Sequence, residues 1–466
     1  MTDLERPSSF PHEPGKTNGD TPHRNTGPKI VKAGLVLLVA VLLLMGVLWL
    51  TKRKPVTETY QQSASAKLPP TATWTFAVSG DSRNCGDVVV PTIAADVSKH
   101  APQFYWHLGD FRFIALVDED MQCGPVHEPQ RPTYQYEWKD MQGLLTHEKR
   151  EWKKVQEQLA YEKHAWEDFT QNQVRAFDSN KIPVFLGIGN HEMILHRDHE
   201  DFIRAFKGQL NPDTQLAETG KINTYYHWTV GGVDFINLDN AGTGLNLKKT
   251  NLAFDSGQLK WFQDQLARDA NNADVKTVVV GMHAALPYSV SFSHSMNESK
   301  EGTDSGTKAY QVLWDWQVQT HKHAYVLASH SHYYMEDIFD TPQWRGKGEV
   351  LPGWIVGSAG AHRNPLPVPG PDTPGWKNAK DARTNVYGYL LGTVNPEGRS
   401  DGSIKFEFHE VKLDVVPSDV AARFQPGFVA WCFQKNTDCA DSDQHCEKSA
   451  QASYNYPAGI AALQCR

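Results

Sequence analysis

The chain has 466 residues, 40% of them hydrophobic and 21% charged, and a formal net charge of −8. Such a composition describes a globular protein long enough for two or three domains. It excludes a nucleic-acid-coating surface, because no basic excess is available to release counterions. Anionic substrates are not excluded, since a local site holding divalent cations would dominate the nearby field.

Residues 1–32 are rich in Pro, Gly, Thr and charge and read as disordered. The stretch AGLVLLVAVLLLMGVLWL, Ala33 to Leu50, is uncharged and about 18 residues long, the lower end of what spans a bilayer. A cleaved signal peptide would have a shorter apolar region with a small-residue site close behind it. Here Lys52-Arg53-Lys54 intervenes, and Ala64-Ser65-Ala66 lies well downstream, so residues 33–51 are predicted to be an uncleaved transmembrane anchor. Basic residues flank both ends and leave its orientation open. All six cysteines, Cys85, Cys123, Cys432, Cys439, Cys446 and Cys465, follow the anchor. An even number confined to that side points to disulfides and to an extracytoplasmic body, periplasmic or extracellular, although six cysteines allow 15 pairings. A zinc site at Cys432, Cys439 and Cys446 is the alternative, but their spacing lacks the short C-x2-4-C pairs such sites prefer.

Residues 52–72 form a polar, Pro-containing linker. From 73 to 415, short apolar runs alternate with helical patterns. Trp74–Val78, Phe104–Leu108, Pro183–Gly187, Val275–Gly281, Tyr325–Ala328 and Trp354–Gly357 read as strands covered on both faces; Val90–His100 and Ser256–Ala270 read as helices, the second capped by its serine. YYHWTVGGVDFINLDN is a hairpin turning at Gly231-Gly232, and YGYLLGTV with SIKFEFHEV makes another. Residues 118–180 interrupt this pattern with a long charged helical segment, expected as a solvated insertion or a lid. Residues 416–466 form a Cys-containing C-terminal extension. The expected fold is an α/β four-layer sandwich of two mixed β-sheets flanked by helices, preceded by the transmembrane helix.

The residues just past each strand carry the chemistry. TFAVSGDSR runs into Asp81, FYWHLGDFR into Asp110, PVFLGIGNHE into Asn190-His191-Glu192, VVVGMHAALP into His283, and AYVLASHSH into His330-Ser331-His332. Ligands of open α/β sheets gather at the carboxyl ends of strands, and three of these residues follow a glycine that lets the backbone turn sharply. His330 and His332, two apart on an extended segment, project to one face. Asp, Asn and His supply only oxygen and nitrogen, which suits two borderline cations better than soft copper or one structural zinc. His107, inside FYWHL, is expected to be buried and hydrogen-bonded to backbone. His196 and His199 are expected on a solvated face, and His362 in GSAGAHR is a secondary candidate for the cleft wall. Asn297-Glu298-Ser299 matches a glycosylation sequon.

In this order, Asp, Gly-Asp, Gly-Asn-His-Glu, His and His-x-His resemble the calcineurin-like metallophosphoesterase superfamily, which includes the purple acid phosphatases. The resemblance runs from about Trp74 to Leu413. It implies that Asp110 bridges two divalent or trivalent metal ions (Mn, Fe, Zn or Mg). Asn190, His283 and His330 would complete one site, Asp81 and His332 the other, and His191 would steady the leaving group or the transferring phosphoryl. Three positions depart from the pattern. The usual histidine of the first motif is Arg83, which cannot ligate; the purple acid phosphatase tyrosine is Phe113; and the usual Gly-His-x-His begins with Ser329. Arg83 either contacts the phosphate or fills the weakened metal position electrostatically; the first is expected, because the other ligands of that site are retained. Asn84 and Asn190 are further candidate substrate contacts.

With the predicted anchor, the resemblance implies a membrane-anchored phosphoesterase that hydrolyses phosphate esters by two-metal activation of water, acting on a phosphorylated small molecule or lipid; the net charge argues against nucleic acid. A non-catalytic phosphate-ligand-binding protein, or a phosphodiesterase or lipid pyrophosphatase, is the alternative.

Overall fold

The computed structural model describes residues 68–114, 118–123, 151–193, 198–242, 252–291, 294–369 and 375–437. The expected disordered segment and anchor, most of the linker, His196, and the extension beyond Thr437 with Cys439, Cys446 and Cys465 lie outside these residues. No helix among the described residues is long and apolar enough to cross a membrane.

The fold is mixed α/β, with two mixed sheets flanked by helices. One sheet has five strands in the order β12-β11-β1-β2-β3, where β1 is Trp74–Ser79, β2 Tyr105–His107, β3 Val184–Leu186, β11 Tyr387–Val394 and β12 Ile404–Val411. The other has seven in the order β10-β8-β9-β7-β6-β5-β4, where β4 is Tyr226–Val230, β5 Val233–Asn237, β6 Thr277–Gly281, β7 His323–Ala328, β8 Tyr334–Glu336, β9 Gly353–Val356 and β10 Ala382–Arg383. β1, β2 and β3 are mutually parallel, as are β5, β6, β7 and β9. Within each sheet, therefore, the carboxyl ends of consecutive strands lie side by side.

Both predicted hairpins form. Gly231 and Gly232 have φ of +51° and +82°, the conformation that a two-residue hairpin needs at both turn positions, and Val230 pairs with Val233. The facing sides of the sheets meet through aromatic rings. Phe235 of β5 stands edge-on to both Phe76 and Phe104, with centroids 4.9 Å away in each case. Trp106 donates its indole N–H to Asn237 at 3.1 Å. Gly281 makes room for that indole, because a Cβ there would lie 2.1 Å from it.

One helix begins ahead of where the pattern placed it, and another is capped by a different residue. α1 spans Gly86–Val97, four residues ahead of expectation, with Ser98–His100 in a 3-10 turn. It carries Pro91 in its interior, which removes the N–H that would bond to the carbonyl of Asp87. Arg423 donates to that carbonyl instead, at 3.3 Å.

α2 (Glu119–Cys123) and α3 (Glu151–Asn172) belong to the 118–180 segment, and α4 is Asp198–Phe206. The solvated-helix expectation for this segment is corrected. Tyr161, Ala165, Trp166 and Phe169 of α3 are buried, and Phe169 stacks on Phe111 at 3.9 Å. The charges that mask this apolar stripe include Asp168, which pairs inward with the buried Arg112, together with Asp87 and Asp120. α5 (Ser256–Asn271) is capped by Asp255, whose carboxylate accepts from Gln258 N–H at 2.8 Å, and not by Ser256. α5 and α6 (Lys300–Thr320) cover the seven-stranded sheet through Phe262, Leu266, Leu313 and Trp316.

Candidate metal centre

Five loops leave parallel strands and meet at the carboxyl ends of the two sheets. The β1 loop is stitched to the β2 loop by Asp81 N–H to Gly109 O and Ser82 N–H to Asp110 O, both at 3.0 Å. It is stitched across to β9 by Gly80 N–H to Val356 O at 3.1 Å. Asp81, Asp110 and His330 all take left-handed backbone conformations, with φ of +57°, +55° and +66°. Non-glycine residues adopt that region at a cost of about 1–3 kcal/mol each, and such residues cluster at functional sites. Close approach explains the glycine of GNHE: a Cβ on Gly189 would sit 2.2 Å from Asp110 Oδ1.

The structure brings Asp81, Asp110, Asn190, His283, His330 and His332 together. Donor atoms of Asp110, His283 and His330 lie within 4.8 Å of one another, and so do those of Asp81, Asp110 and His332. Asp110 is common to both groups. Asn190 joins the first, its Oδ1 2.9 Å from His283 Nε2.

Two of the three imidazoles are oriented from behind. His283 Nδ1 donates to Leu108 O at 3.0 Å, and His332 Nδ1 donates to His362 O at 2.6 Å. Both therefore turn Nε2, with its lone pair, toward the carboxylates, the arrangement that metal-bound histidines adopt. Asp81 Oδ2 is held by the N–H of His330 at 2.6 Å and by the hydroxyl of Ser329. That leaves Asp81 Oδ1, Asp110 Oδ2 and His330 Nε2, which are buried without a hydrogen-bond partner among the described residues. Buried polar atoms left in this state are costly, and orphaned atoms on members of both donor groups fit cations of the kind that oxygen and nitrogen donors bind.

The electrostatics agree. Burial would raise Asp110, but His283, His191 and Arg83 hold its carboxyl well below the usual range. Asp81 is likewise brought to about 2, against burial, chiefly by His332. Burial lowers His283, yet Asp110 and Asp81 outweigh it and lift the imidazole to about 9. The charge that attracts a proton there would attract a cation in its place.

Arg83 lies beside this cluster and is almost fully buried. Its Nη1 is 3.2 Å from His191 Nδ1, and its guanidinium lies 5.6 Å from the centroid of the Phe113 ring. Phe113 in turn meets the His191 ring edge-on at 4.5 Å. An arginine can only donate, so His191 Nδ1 accepts and its proton is on Nε2, 3.6 Å from Asp110 Oδ2. Asn84 is engaged elsewhere: its amide donates to Glu119 at 2.5 Å and its Oδ1 accepts from His362 N–H at 3.1 Å. Both ends of that side chain serve the loop framework.

His107 is buried; its Nδ1 accepts from Gly109 N–H at 3.3 Å and its Nε2 donates to Ser82 Oγ at 3.0 Å. Burial keeps it neutral, at about 3. His199 pairs with Asp239 at 2.9 Å. His362 supplies its backbone to the site and turns its ring to Asn436 at 3.1 Å. The sequon residue Asn297 is half-buried, its Oδ1 accepting from Tyr288 N–H at 2.7 Å.

Several contributors were missed from sequence. Glu192 accepts N–H bonds from Asp110, Gly189, Phe111 and Arg112 at 2.8, 2.8, 2.9 and 3.1 Å, so it shapes the turn that presents Asp110. Asn240 clamps the backbone next to His283, donating to Ala284 O at 2.7 Å and accepting from its N–H at 3.0 Å. Its signal was visible: β5 also runs into a polar strand end, NLDN. His294 and Glu298 border His330, with donor atoms within 4.8 Å of one another.

The calcineurin-like phosphoesterase family model matches residues 89–334, more than half of the chain. The protein belongs to the calcineurin-like phosphoesterase family, and is a metal-dependent hydrolase of phosphoric ester bonds. Among solved structures, it is similar to PhoD at 12% identity over 75% of this chain and 72% of that one, with a TM-score of 0.39. A dimetal phosphatase from Danio rerio is 11% identical over 72% of this chain and 98% of its own, with a TM-score of 0.36. A phosphatase from Mycoplasma pneumoniae is 10% identical over 73% and 94%, with a TM-score of 0.33. No curated protein matches the sequence.

Proposed function

We propose that the chain is a membrane-anchored phosphoesterase whose body works outside the cytoplasm on a phosphorylated small molecule or lipid, using two metal ions. The observation that carries this reading is the pair of donor groups, Asp110 with His283 and His330 and Asp81 with Asp110 and His332, each with its donor atoms within 4.8 Å of one another and with Asp110 common to both. Asp110, Asn190, His283 and His330 would hold one cation, and Asp81, Asp110 and His332 the other. Two such ions, Mn, Fe, Zn or Mg, would supply Lewis-acid charge and lower the pKa of water toward neutrality.

The protein's own groups do the rest. Arg83 places a permanent positive charge beside Asp110 and His191, where it neutralises an entering phosphate oxygen. Its hydrogen bond to His191 Nδ1 fixes the tautomer, so that Nε2–H donates to the leaving oxygen. Asn190 offers a carbonyl oxygen to a cation and an N–H to the substrate anion. Ala33–Leu50 would anchor the chain, and the Cys85–Cys432 disulfide is in keeping with an oxidising compartment.

The test uses the full-length protein, stripped by a chelator and reconstituted with each metal in turn. Hydrolysis of p-nitrophenyl phosphate or its bis ester should vanish on stripping and return on reconstitution. Absence of metal-dependent turnover of either ester would overturn the assignment.

A further inference from the structure

At the far end of α1, three metal-binding side chains meet that the catalytic reading does not use. Asp96 lies in the last turn of the helix and His100 four residues on, so both project from one side. Ala101 follows with φ of +46° and ends the run. His409 comes from β12, the edge strand, where it pairs in register with Tyr389. Donor atoms of Asp96, His100 and His409 lie within 4.8 Å of one another, and all three side chains are half-buried. The two imidazoles meet edge-to-face at 4.7 Å.

We infer that Asp96, His100 and His409 form a second, structural site for a borderline divalent cation such as Zn2+, tying α1 to the edge strand β12. Two imidazoles and one carboxylate are the donor set such ions favour, and three protein ligands leave water to complete the coordination. Neither imidazole makes a side-chain hydrogen bond to another described residue, so their lone pairs are available. Burial, with His100 beside it, pulls His409 below its usual range and favours the neutral, ligating form.

Tyr389 donates to Asp96 Oδ2 at 2.9 Å and orients the carboxylate from behind, as outer partners of metal ligands do. The present partner of Asp96 Oδ1 is Lys99 at 2.8 Å, on a side chain 66% exposed. An exposed ion pair of that kind contributes little and yields readily to a bound ion. The ligand atoms must draw in to the roughly 2.0–2.2 Å that zinc takes to nitrogen and oxygen, which side-chain rotation supplies.

This site is distinct from the catalytic one. α1 has 12 residues and is about 18 Å long; its amino end follows Arg83 and Cys85, and Asp96 is at the other. A cation there would hold the carboxyl end of the helix, while the Cys85–Cys432 disulfide holds the amino end.

The experiment measures Zn2+ equivalents bound by the chelator-stripped, full-length chain, beside the His100→Ala/His409→Ala double variant. Wild type should bind one equivalent more than the variant, and Zn2+ should raise the Tm of wild type by more than that of the variant. Hydrolysis of p-nitrophenyl phosphate should be equal in both, showing that the variant is folded. Asp96→Asn, which keeps the packing, should lose the same equivalent. Equal zinc stoichiometry in wild type and both variants would overturn the proposal whatever the catalytic site binds.

Discussion

Glu192→Gln separates a carboxylate that organises the centre from one that merely fills space. The two oxygens of Glu192 divide four backbone donors: Asp110 and Gly189 N–H share Oε2, while Phe111 and Arg112 N–H share Oε1. Glutamine has the same shape but only one acceptor oxygen. Whichever way it sits, two buried N–H groups face an amide nitrogen. Each unsatisfied buried donor costs about 1–3 kcal/mol, so the substitution should destabilise by about 2–6 kcal/mol. The same turn presents Asp110, and loss of such outer support typically costs about 10–100-fold in metal affinity or activity. The assay is urea unfolding of the metal-free protein, with kcat/KM on p-nitrophenyl phosphate measured in parallel. A variant within about 0.5 kcal/mol of wild type, the range of an ordinary surface change, and with unchanged kcat/KM would refute the reasoning.

Arg83→Ala should lower kcat/KM by about 10²–10³-fold, the effect of removing one donor aimed at developing charge, and Arg83→Lys should recover only part of it because an ammonium lacks the fork. Steady-state kinetics decide, and wild-type rates in the alanine variant would count against Arg83 as a substrate contact. Cys432→Ser opens a cross-link spanning 347 residues and should cost about 2–5 kcal/mol, read as a lower denaturation midpoint that added reductant does not lower further. Burial lowers His227, but Asp234 at 2.9 Å and Glu218 at 3.0 Å outweigh it and raise the imidazole to about 9. Its folded pKa lies above the unfolded value near 6.5, so its stabilisation is complete below about pH 6.5 and is lost as pH rises through about 9. His227→Gln should therefore be destabilising by at most about 3 kcal/mol at pH 6, the gap to wild type shrinking toward pH 10; a pH-independent gap would exclude the ion pairs as its source.

The parallel strands of both sheets were legible because they are largely buried on both faces and read as continuous apolar runs, Thr277–Gly281 with five buried residues in succession. The residues of the cluster were legible for a related reason: a polar side chain directly after such a run has nowhere to go but the strand end. Support from outside the local segment could not be read. Glu192 acts across some 80 residues on the turn at Asp110. Arg112 draws Asp87, Asp120 and Asp168 from three separate segments inward, so charges that look solvating in a local window are buried. The early start of α1 through Pro91 likewise depends on Arg423, more than 330 residues away, and no local propensity contains that donor.

The departures from the family pattern make more sense together than apart. Arg83 stands where the family usually has a metal-binding histidine, and Phe113 where purple acid phosphatases have a tyrosine. Here the guanidinium lies 5.6 Å from the centre of the Phe113 ring, and both touch His191. A ring face is a favourable neighbour for a buried guanidinium, so Phe113 helps to keep Arg83 directed at His191. Ser329, in place of the usual glycine, donates to Asp81 Oδ2, and together with the N–H of His330 it fixes the carboxylate so that Oδ1 faces His332 at 3.4 Å. A centre with one ligand fewer thus retains a firmly aimed Asp81. It gains a permanent cation that donates to Nδ1 of its neighbouring histidine and that, on the proposed reading, would meet an anionic substrate.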